Sequence, residues 1–85
     1  MRSPSVYGQP LTAGQLAALR LAAEGYTSAQ IATRLGSSEA GVHRRFKEIA
    51  IRLGSHSRTH SVVIALRRGL IHFDDLDLND IRSAA

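Results

Sequence analysis

Residues 37–54 read SSEAGVHRRFKEIAIRLG, and this stretch decides the fold. Ser38 is a preferred helix N-cap residue, and Gly54 stands where a left-handed C-cap is expected. The apolar residues between them recur at spacings of four, three and four, which places them on one face of an α-helix: Val42, Phe46, Ile49 and Leu53. The stretch therefore predicts an amphipathic helix over about residues 39–53.

The face of this helix opposite the apolar stripe is basic in its first turns. At about 100° per residue, this face carries Ala40, Gly41, Arg44, Lys47 and Glu48. A guanidinium there is able to reach base edges in a major groove and to bind guanine O6 and N7 together, so we predict that Arg44 contacts a base. The flanking cations are better placed for phosphates: His43, Arg45 and Lys47. A solvated basic face is the alternative interpretation.

Two shorter helices precede this one. Thr12 and Thr27 are each followed three residues later by Gln, which is the pattern of a capping box. The first helix ends before Gly25, and the second ends before Gly36. The inward face of the second helix holds Ile31, Ala32 and Leu35. Two short helices joined by a tight turn predict a helix-turn-helix, in which the N-termini at Thr27 and Ser38 present backbone amides to phosphates.

A fourth helix is predicted over about residues 58–68, before Gly69. Its inward face is assigned to Val62, Ala65 and Leu66. On that wheel Ile64 points almost directly away from the core, between His60 and Arg67. A branched aliphatic side chain outside the core predicts contact with a second copy of the chain. A single exposed isoleucine is the alternative.

The positive charge of the chain is concentrated around these last two helices. The net charge is +4 over 85 residues, yet residues 34–68 alone carry eight Lys or Arg against two Glu. Residues 69–85 carry four Asp against one Arg. A basic middle segment is typical of proteins that bind polyanions, because each neutralised phosphate releases counterions.

The composition argues against enzymes and metal centres. The chain has no Cys, which excludes disulfides, thiol catalysis and cysteine-bound zinc. His56 and His60 are four residues apart, but they lack the further ligands that structural zinc needs, so we interpret them as solvated. No nucleophile elbow or glycine-rich phosphate loop is present. We therefore predict a binding protein with no catalytic residues, metal or cofactor.

One domain over residues 11–71 is expected, because a chain of this length forms a single domain. Residues 1–10, with two Pro, two Ser and one Gly, predict a flexible segment. Residues 72–85 predict an acidic tail that forms a short helix or stays disordered, and that either solubilises the chain or docks a partner. With no signal peptide and no apolar run of about 20 residues, we expect a cytoplasmic protein, associated with the nucleoid when bound to DNA.

Three segments together resemble one known family without a gap from Leu11 to Ile71: LTAGQLAALRLAAEGYTSAQIATRL, SSEAGVHRRFKEIAIRLG and SRTHSVVIALRRGLI. They are similar to the LuxR/GerE-type DNA-binding domain. The matching positions are Leu11, Thr12, Leu19, Gly25, Ile31, Ala32, Leu35, Ser38, Val42, Ile49, Leu53, Gly54, Arg58, Val62, Ala65, Gly69, Leu70 and Ile71. The resemblance implies an all-α, four-helix fold, DNA as the partner and a homodimer formed through the fourth helix.

Several residues depart from the pattern of that family. Gln15 and Ala17 replace two Glu of the first helix, and residues 28–30 read Ser-Ala-Gln in place of Asn-Lys-Glu. The recognition helix differs from the usual Thr, Lys and His at three positions: Gly41, His43 and Arg45. These differences mean that the target sequence of the family does not transfer to this chain.

The sequence therefore predicts a transcriptional regulator that binds a two-fold symmetric or direct-repeat DNA site as a dimer. A protein-interaction module of the same fold, which contacts another regulator or a sigma factor, is the alternative. The C-terminal helix-turn-helix of sigma factors is a second alternative, but residues 57–71 follow the LuxR/GerE-type pattern instead. The length leaves no room for a receiver or ligand-binding domain, so control is expected from expression, a partner or a parent chain.

Overall fold

The computed structural model describes residues 7–78, which form four α-helices and a short 3₁₀ helix. The helices are α1 (Ala13–Ala23), α2 (Ser28–Leu35), α3 (Glu39–Leu53) and α4 (Arg58–Arg67), and the 3₁₀ helix is Phe73–Asp75. The fold is all-α, as the sequence predicts. None of the helices in residues 7–78 has both the length and the apolar content needed to cross a membrane.

Each α-helix begins at a side-chain cap. At Thr12 the hydroxyl accepts from the Gln15 amide at 3.1 Å and the Gln15 side chain accepts in return at 3.0 Å, which confirms the capping box. Thr27 and Gln30 form the same pair before α2. Ser38 accepts from the amide of residue 41 at 2.9 Å and so begins α3. α2 and α3 end at glycines with positive φ, as predicted.

The core lies between α3 and the other three helices. The predicted stripe of α3 is buried in one cluster with residues of α1, α2 and α4 and with Ile71. The buried residues of this cluster are Ala18, Leu19, Ile31, Ala32, Val42, Phe46, Ile49, Leu53, Ala65 and Ile71. Burial of each large aliphatic side chain contributes about 1.5–3 kcal/mol. Arg58 fixes α4 to this assembly, because its guanidinium lies 4.4 Å from the Phe46 ring centroid and donates to the Ser28 hydroxyl.

The inward face of α4 includes the predicted residues, since Ala65 is buried and Val62 and Leu66 are half-buried against the core, but it is rotated toward Ser61 and Ile64. Ser61 and Ala65 are its buried residues, Ile64 is half-buried against the core, and Val63 is 54% exposed. The prediction that Ile64 points away from the core is therefore wrong, and Val63 occupies that direction. The cause is Ser61, whose hydroxyl donates to the Ser57 carbonyl at 3.0 Å and shares a 2.5 Å hydrogen bond with Ser55. A hydroxyl satisfied in this way is able to lie in the core.

The N-terminal residues that the structure describes contact the end of α3. The Gly8 amide donates to the Arg52 carbonyl at 2.8 Å, and the Arg52 guanidinium donates to the Pro10 carbonyl at 2.8 Å. The Tyr7 ring lies against Gly54, where an added Cβ would stand 2.6 Å from the ring. Of the segment predicted to be flexible, residues 1–6 lie outside the described residues.

The beginning of the acidic tail returns to α1. The Asp77 amide donates to the Glu24 carboxylate at 2.7 Å, and the 3₁₀ helix leaves Phe73 66% exposed. Residues 79–85, the second half of the tail predicted either to form a short helix or to be disordered, lie outside the described residues.

Candidate nucleic-acid interface

The helix-turn-helix is formed by α2, residues 36–38 and α3. Gly36 adopts φ 65°, which a left-handed turn requires, and the Ser37 amide donates to the Ala32 carbonyl at 2.8 Å. Ile31 and Ala32 on α2 pack with Val42 on α3 in the same core cluster. The turn and this packing hold α3 at a fixed angle to α2.

The outward side of α3 brings most of the predicted site residues together. Its first turns expose Ala40, His43, Arg44 and Lys47, while Gly41, Arg45 and Glu48 are half-buried. Ile51 follows on the same side and is 47% exposed. The exposed face is therefore basic at its N-terminal half and apolar further along.

The two helix N-termini predicted to contact phosphates carry hydroxyl groups and not cationic side chains. The hydroxyls of Thr27 and Ser38 both accept hydrogen bonds from backbone amides inside their own helices, at 3.2 Å and 2.9 Å. Their exposed positions begin α2 and α3. Because a hydroxyl that accepts in this way still has its own proton to donate, both the hydroxyl and the amides of the helix N-terminus are suited to an anion.

Arg45 extends toward α1 rather than straight into solvent. Its guanidinium covers Gly14, where an added Cβ would stand 2.1 Å from Nη1. Its Nε is buried and has no hydrogen-bond partner within residues 7–78. The sequence suggested a phosphate contact for this side chain but gave no sign of the Gly14 contact, since the two residues are distant in the chain.

A series of hydrogen bonds between side chains links α1 to α3, and the sequence did not predict it. The Arg52 guanidinium donates to Gln15 Oε1 at 3.0 Å, and Gln15 Nε2 donates to Glu48 Oε1 at 3.4 Å. Gln15 is buried although it is polar. The capping-box pattern identified Gln15 as a helix N-terminal residue, but a second partner across the fold leaves no local signal. These hydrogen bonds fix the carboxylate of Glu48 at the edge of the exposed face.

One side of α4 exposes a stripe formed by His60, Val63 and Arg67, which we call the α4 stripe. Val63 and Arg67 are exposed, and the His60 ring stacks on His56 with centroids 5.2 Å apart. His60 Nδ1 also accepts from the His56 amide at 3.0 Å. Within residues 7–78, no group of three or more His, Asp or Glu residues is arranged to hold a metal ion.

The comparisons with known proteins agree with this architecture. Residues 9–65 match the GerE family, described as bacterial regulatory proteins of the luxR family. The chain is 38% identical over 65 residues to the transcriptional regulatory protein YdfI of Bacillus subtilis (strain 168), a match that covers 76% of this chain and 30% of that relative. No solved structure gives a significant match. The match over residues 9–65 and the four α-helices within residues 7–78 show that the chain belongs to the luxR family of bacterial regulatory proteins.

Proposed function

We propose that α3 is the recognition helix and lies in the major groove of double-stranded DNA, with Arg44 in contact with a base. Lys47 and His43 flank Arg44 and contact phosphates. The observation that carries this proposal is the asymmetry of α3: its first turns expose basic side chains, while Val42 and Phe46 on the opposite side are buried. A rigidly packed helix with one basic face fits the way helix-turn-helix domains bind DNA.

The whole interface in this proposal includes the start of α2 and the edges of α3. Its members are Thr27, Ser38, Ala40, Gly41, His43, Arg44, Arg45 and Lys47. Phosphate contacts supply affinity and residue 44 supplies selectivity, so regulation proceeds by binding alone, without catalysis or a cofactor. We place the binding domain at residues 11–71, and the protein in the cytoplasm and on the nucleoid, because DNA is the partner of luxR-family regulators.

A salt titration tests this proposal. If the basic face binds duplex DNA, the logarithm of affinity falls linearly with the logarithm of salt concentration, with a slope of about −0.9 per phosphate contacted. The measurement is fluorescence anisotropy on a labelled duplex between low and physiological salt. Binding that does not depend on salt, or no binding at low salt, is incompatible with α3 in a major groove.

One observation favours a second candidate, a module that binds another regulator or a sigma factor. Ile51 exposes 47% of its surface on the outward side of α3, and Gly41 removes a side chain from the same side. An apolar residue suits the desolvated centre of a protein interface better than a DNA groove lined by phosphates. A failed salt titration together with intact folding would favour this candidate.

We also propose that the chain forms a homodimer through the α4 stripe. Val63 lies at its centre, where burial against a second copy removes apolar surface from water at roughly 25 cal/mol per Å². His60 and Arg67 flank it, and the half-buried Ile64 lies at its edge. A two-fold axis makes each contact count twice. DNA strengthens the association by holding two copies on adjacent half-sites.

The acidic tail, residues 72–85, is proposed as a separate element that modulates this binding. Its backbone is tied to α1 by the hydrogen bond from Asp77 to Glu24. Four Asp in the tail oppose the positive charge of residues 34–68. It therefore competes weakly with DNA or offers an acidic surface to a partner protein.

A further inference from the structure

A polar pocket opens between the first turn of α1 and the middle of α3, with a volume of about 380 Å³. We call it the α1–α3 pocket. Three cations and one acid line it: Arg44, Arg45, Arg52 and Glu48. Ser37 also lines the pocket, and its hydroxyl donates to the Ser38 carbonyl at 3.3 Å. The pocket is therefore positively charged, and it adjoins the exposed face of α3.

The position of Arg45 needs an electrostatic explanation. Its guanidinium covers Gly14 in the first turn of α1. The N-terminus of a helix carries a partial positive charge, and its first amides have no acceptor inside the helix. A cation beside that end is unfavourable unless an anion lies nearby, and the Glu48 carboxylate, which accepts from Gln15 in the same turn, offsets only one of the three Arg charges that line the pocket. The arrangement around Gly14 thus has the charge pattern of an anion site.

Two buried donors point to the same ligand chemistry. Arg45 Nε and Arg52 Nε are both inaccessible and lack a hydrogen-bond partner within the described residues. Buried donors in folded proteins are almost always satisfied, and those of a guanidinium are the more costly ones to leave unpaired. Because both Nε atoms are inaccessible, an oxyanion in the pocket binds the other guanidinium nitrogens, and its negative charge offsets theirs, which a neutral or cationic ligand does not do.

Two glycines keep space beside the pocket. A Cβ on Gly14 would overlap Arg45, and a Cβ on Gly41 would stand 2.6 Å from the Ser37 hydroxyl. Both glycines lie inside helices, where glycine is unfavourable compared with alanine. Neither has a positive φ that would require glycine. What they share is that a side chain at either position would crowd a polar group of the pocket.

We propose that the α1–α3 pocket is a phosphate-binding site in which Arg45, seated over Gly14, is the principal ligand. The planar guanidinium presents paired donors that match a phosphoryl group, and Arg44, which lines the same pocket, binds its other oxygens. The group is either a diester of the DNA backbone beside the groove or the phosphate of a free small molecule. A DNA diester as the ligand rests on the proposed function, whereas the phosphate of a small molecule does not.

The decisive variant is Gly14→Ala, which moves the guanidinium without changing the charge. Alanine favours the helix, and the atom that its Cβ meets is the far end of a flexible side chain, so the fold is retained. Arg45→Gln removes the same ligand by a second route. Arg20→Gln, which removes one charge from α1 outside the pocket, is the matched control. Circular dichroism checks the helical content of all three.

Two measurements separate the two sources. The first is an NMR titration with inorganic phosphate at constant ionic strength, in which saturable shifts of the Gly14 and Gly41 amides are expected for the wild type and Arg20→Gln. At least tenfold weaker binding is expected for Gly14→Ala and Arg45→Gln. The second is the salt dependence of affinity for duplex DNA, whose slope becomes shallower by about 0.9 in Gly14→Ala if a backbone phosphate occupies the pocket.

Each result has one meaning. If the variants weaken the binding of inorganic phosphate but the salt dependence of DNA affinity is unchanged, the pocket binds a free phosphorylated ligand. If the salt dependence changes but inorganic phosphate does not bind, the pocket binds the DNA backbone. If the protein binds inorganic phosphate but does not bind duplex DNA, the proposed function is overturned and the phosphate site is retained. If neither measurement responds, or if only Arg45→Gln responds and Gly14→Ala does not, the site is refuted, because loss of charge alone then explains the data.

Discussion

Arg44, Arg45 and Arg52 leave the same helix but meet different surroundings. Arg44 is exposed, Arg45 covers Gly14, and Arg52 is hydrogen-bonded to Pro10 and Gln15. We therefore expect three different tasks behind their identical charge: base contact for Arg44, phosphate binding for Arg45, and attachment of the N-terminal residues to α3 for Arg52. Substitutions at the three positions are expected to give separable effects on selectivity, anion binding and stability.

Arg44→Ala is expected to lower DNA affinity by about 1–3 kcal/mol and to relax the preference at one base pair, because the lost contact is to a base. Lys47→Ala is its matched partner, since it removes a cation from the same face and is expected to weaken binding evenly across sequences. Both are measured on a duplex obtained by binding-site selection and on a scrambled duplex. Equal losses on the two duplexes for Arg44→Ala would argue against its contact with a base.

Two neighbouring aliphatic residues of α4 are expected to differ in their effect on stability. Ile64→Ala lowers the free energy of unfolding by about 1–2 kcal/mol, below the cost for a fully buried aliphatic side chain, because Ile64 is half-buried against the core. Val63→Ala changes it by less than about 0.5 kcal/mol at concentrations where the chain is monomeric, since Val63 is exposed. Urea denaturation measures both, and the reverse order would mean that α4 is rotated.

At the scale of the helices, what the sequence predicted and what it missed have different physical causes. Helix ends were predictable because caps are local: Thr12, Thr27 and Ser38 each bond to an amide three residues away. The rotation of α4 was not predictable, because it depends on the burial of Ser61, whose hydroxyl forms hydrogen bonds with Ser55 and Ser57. A helical wheel built from apolar residues alone places serine outside.

The α4 stripe gives the prediction that belongs to this scale. Val63→Asp is expected to retain the helical circular-dichroism signal, to shift sedimentation toward monomer and to abolish cooperative binding to a duplex with two half-sites, because it puts two like charges at a two-fold contact. Thr33→Asp, at an exposed position of α2 away from the α4 stripe, is the control for added charge. Unchanged cooperativity in Val63→Asp would place the interface elsewhere.

For the whole molecule, the family and the four-helix fold were accessible from the sequence, whereas the α1–α3 pocket was not. The pocket depends on Gly14 and Arg45, which the chain brings together only when α1 packs on α3. The long-range link from Gln15 to Glu48 has the same origin. Charge distribution was visible in the sequence, but which cations face one another is a property of the packed helices.

The acidic tail supplies a test at the same scale. A chain that ends at Ile71 loses four Asp and one Arg, so its affinity for duplex DNA is expected to rise and the salt dependence to become steeper. The measurement is the same anisotropy titration, with a chain in which the four Asp are replaced by Asn as the control for length. Identical affinity for all three chains would show that the tail does not compete with DNA.

The contact between Tyr7 and Gly54 provides an optical signal for the end of α3. The chain has no tryptophan and only two tyrosines, so its intrinsic ultraviolet emission comes from Tyr7 and Tyr26. Tyr26 lies 4.1 Å from the Arg34 guanidinium, far along the chain from the glycine that ends α3. Replacing Tyr26 with Phe leaves a single tyrosine, whose ring lies against the glycine that ends α3. Fraying of the last turn of α3 is then observable without any attached dye.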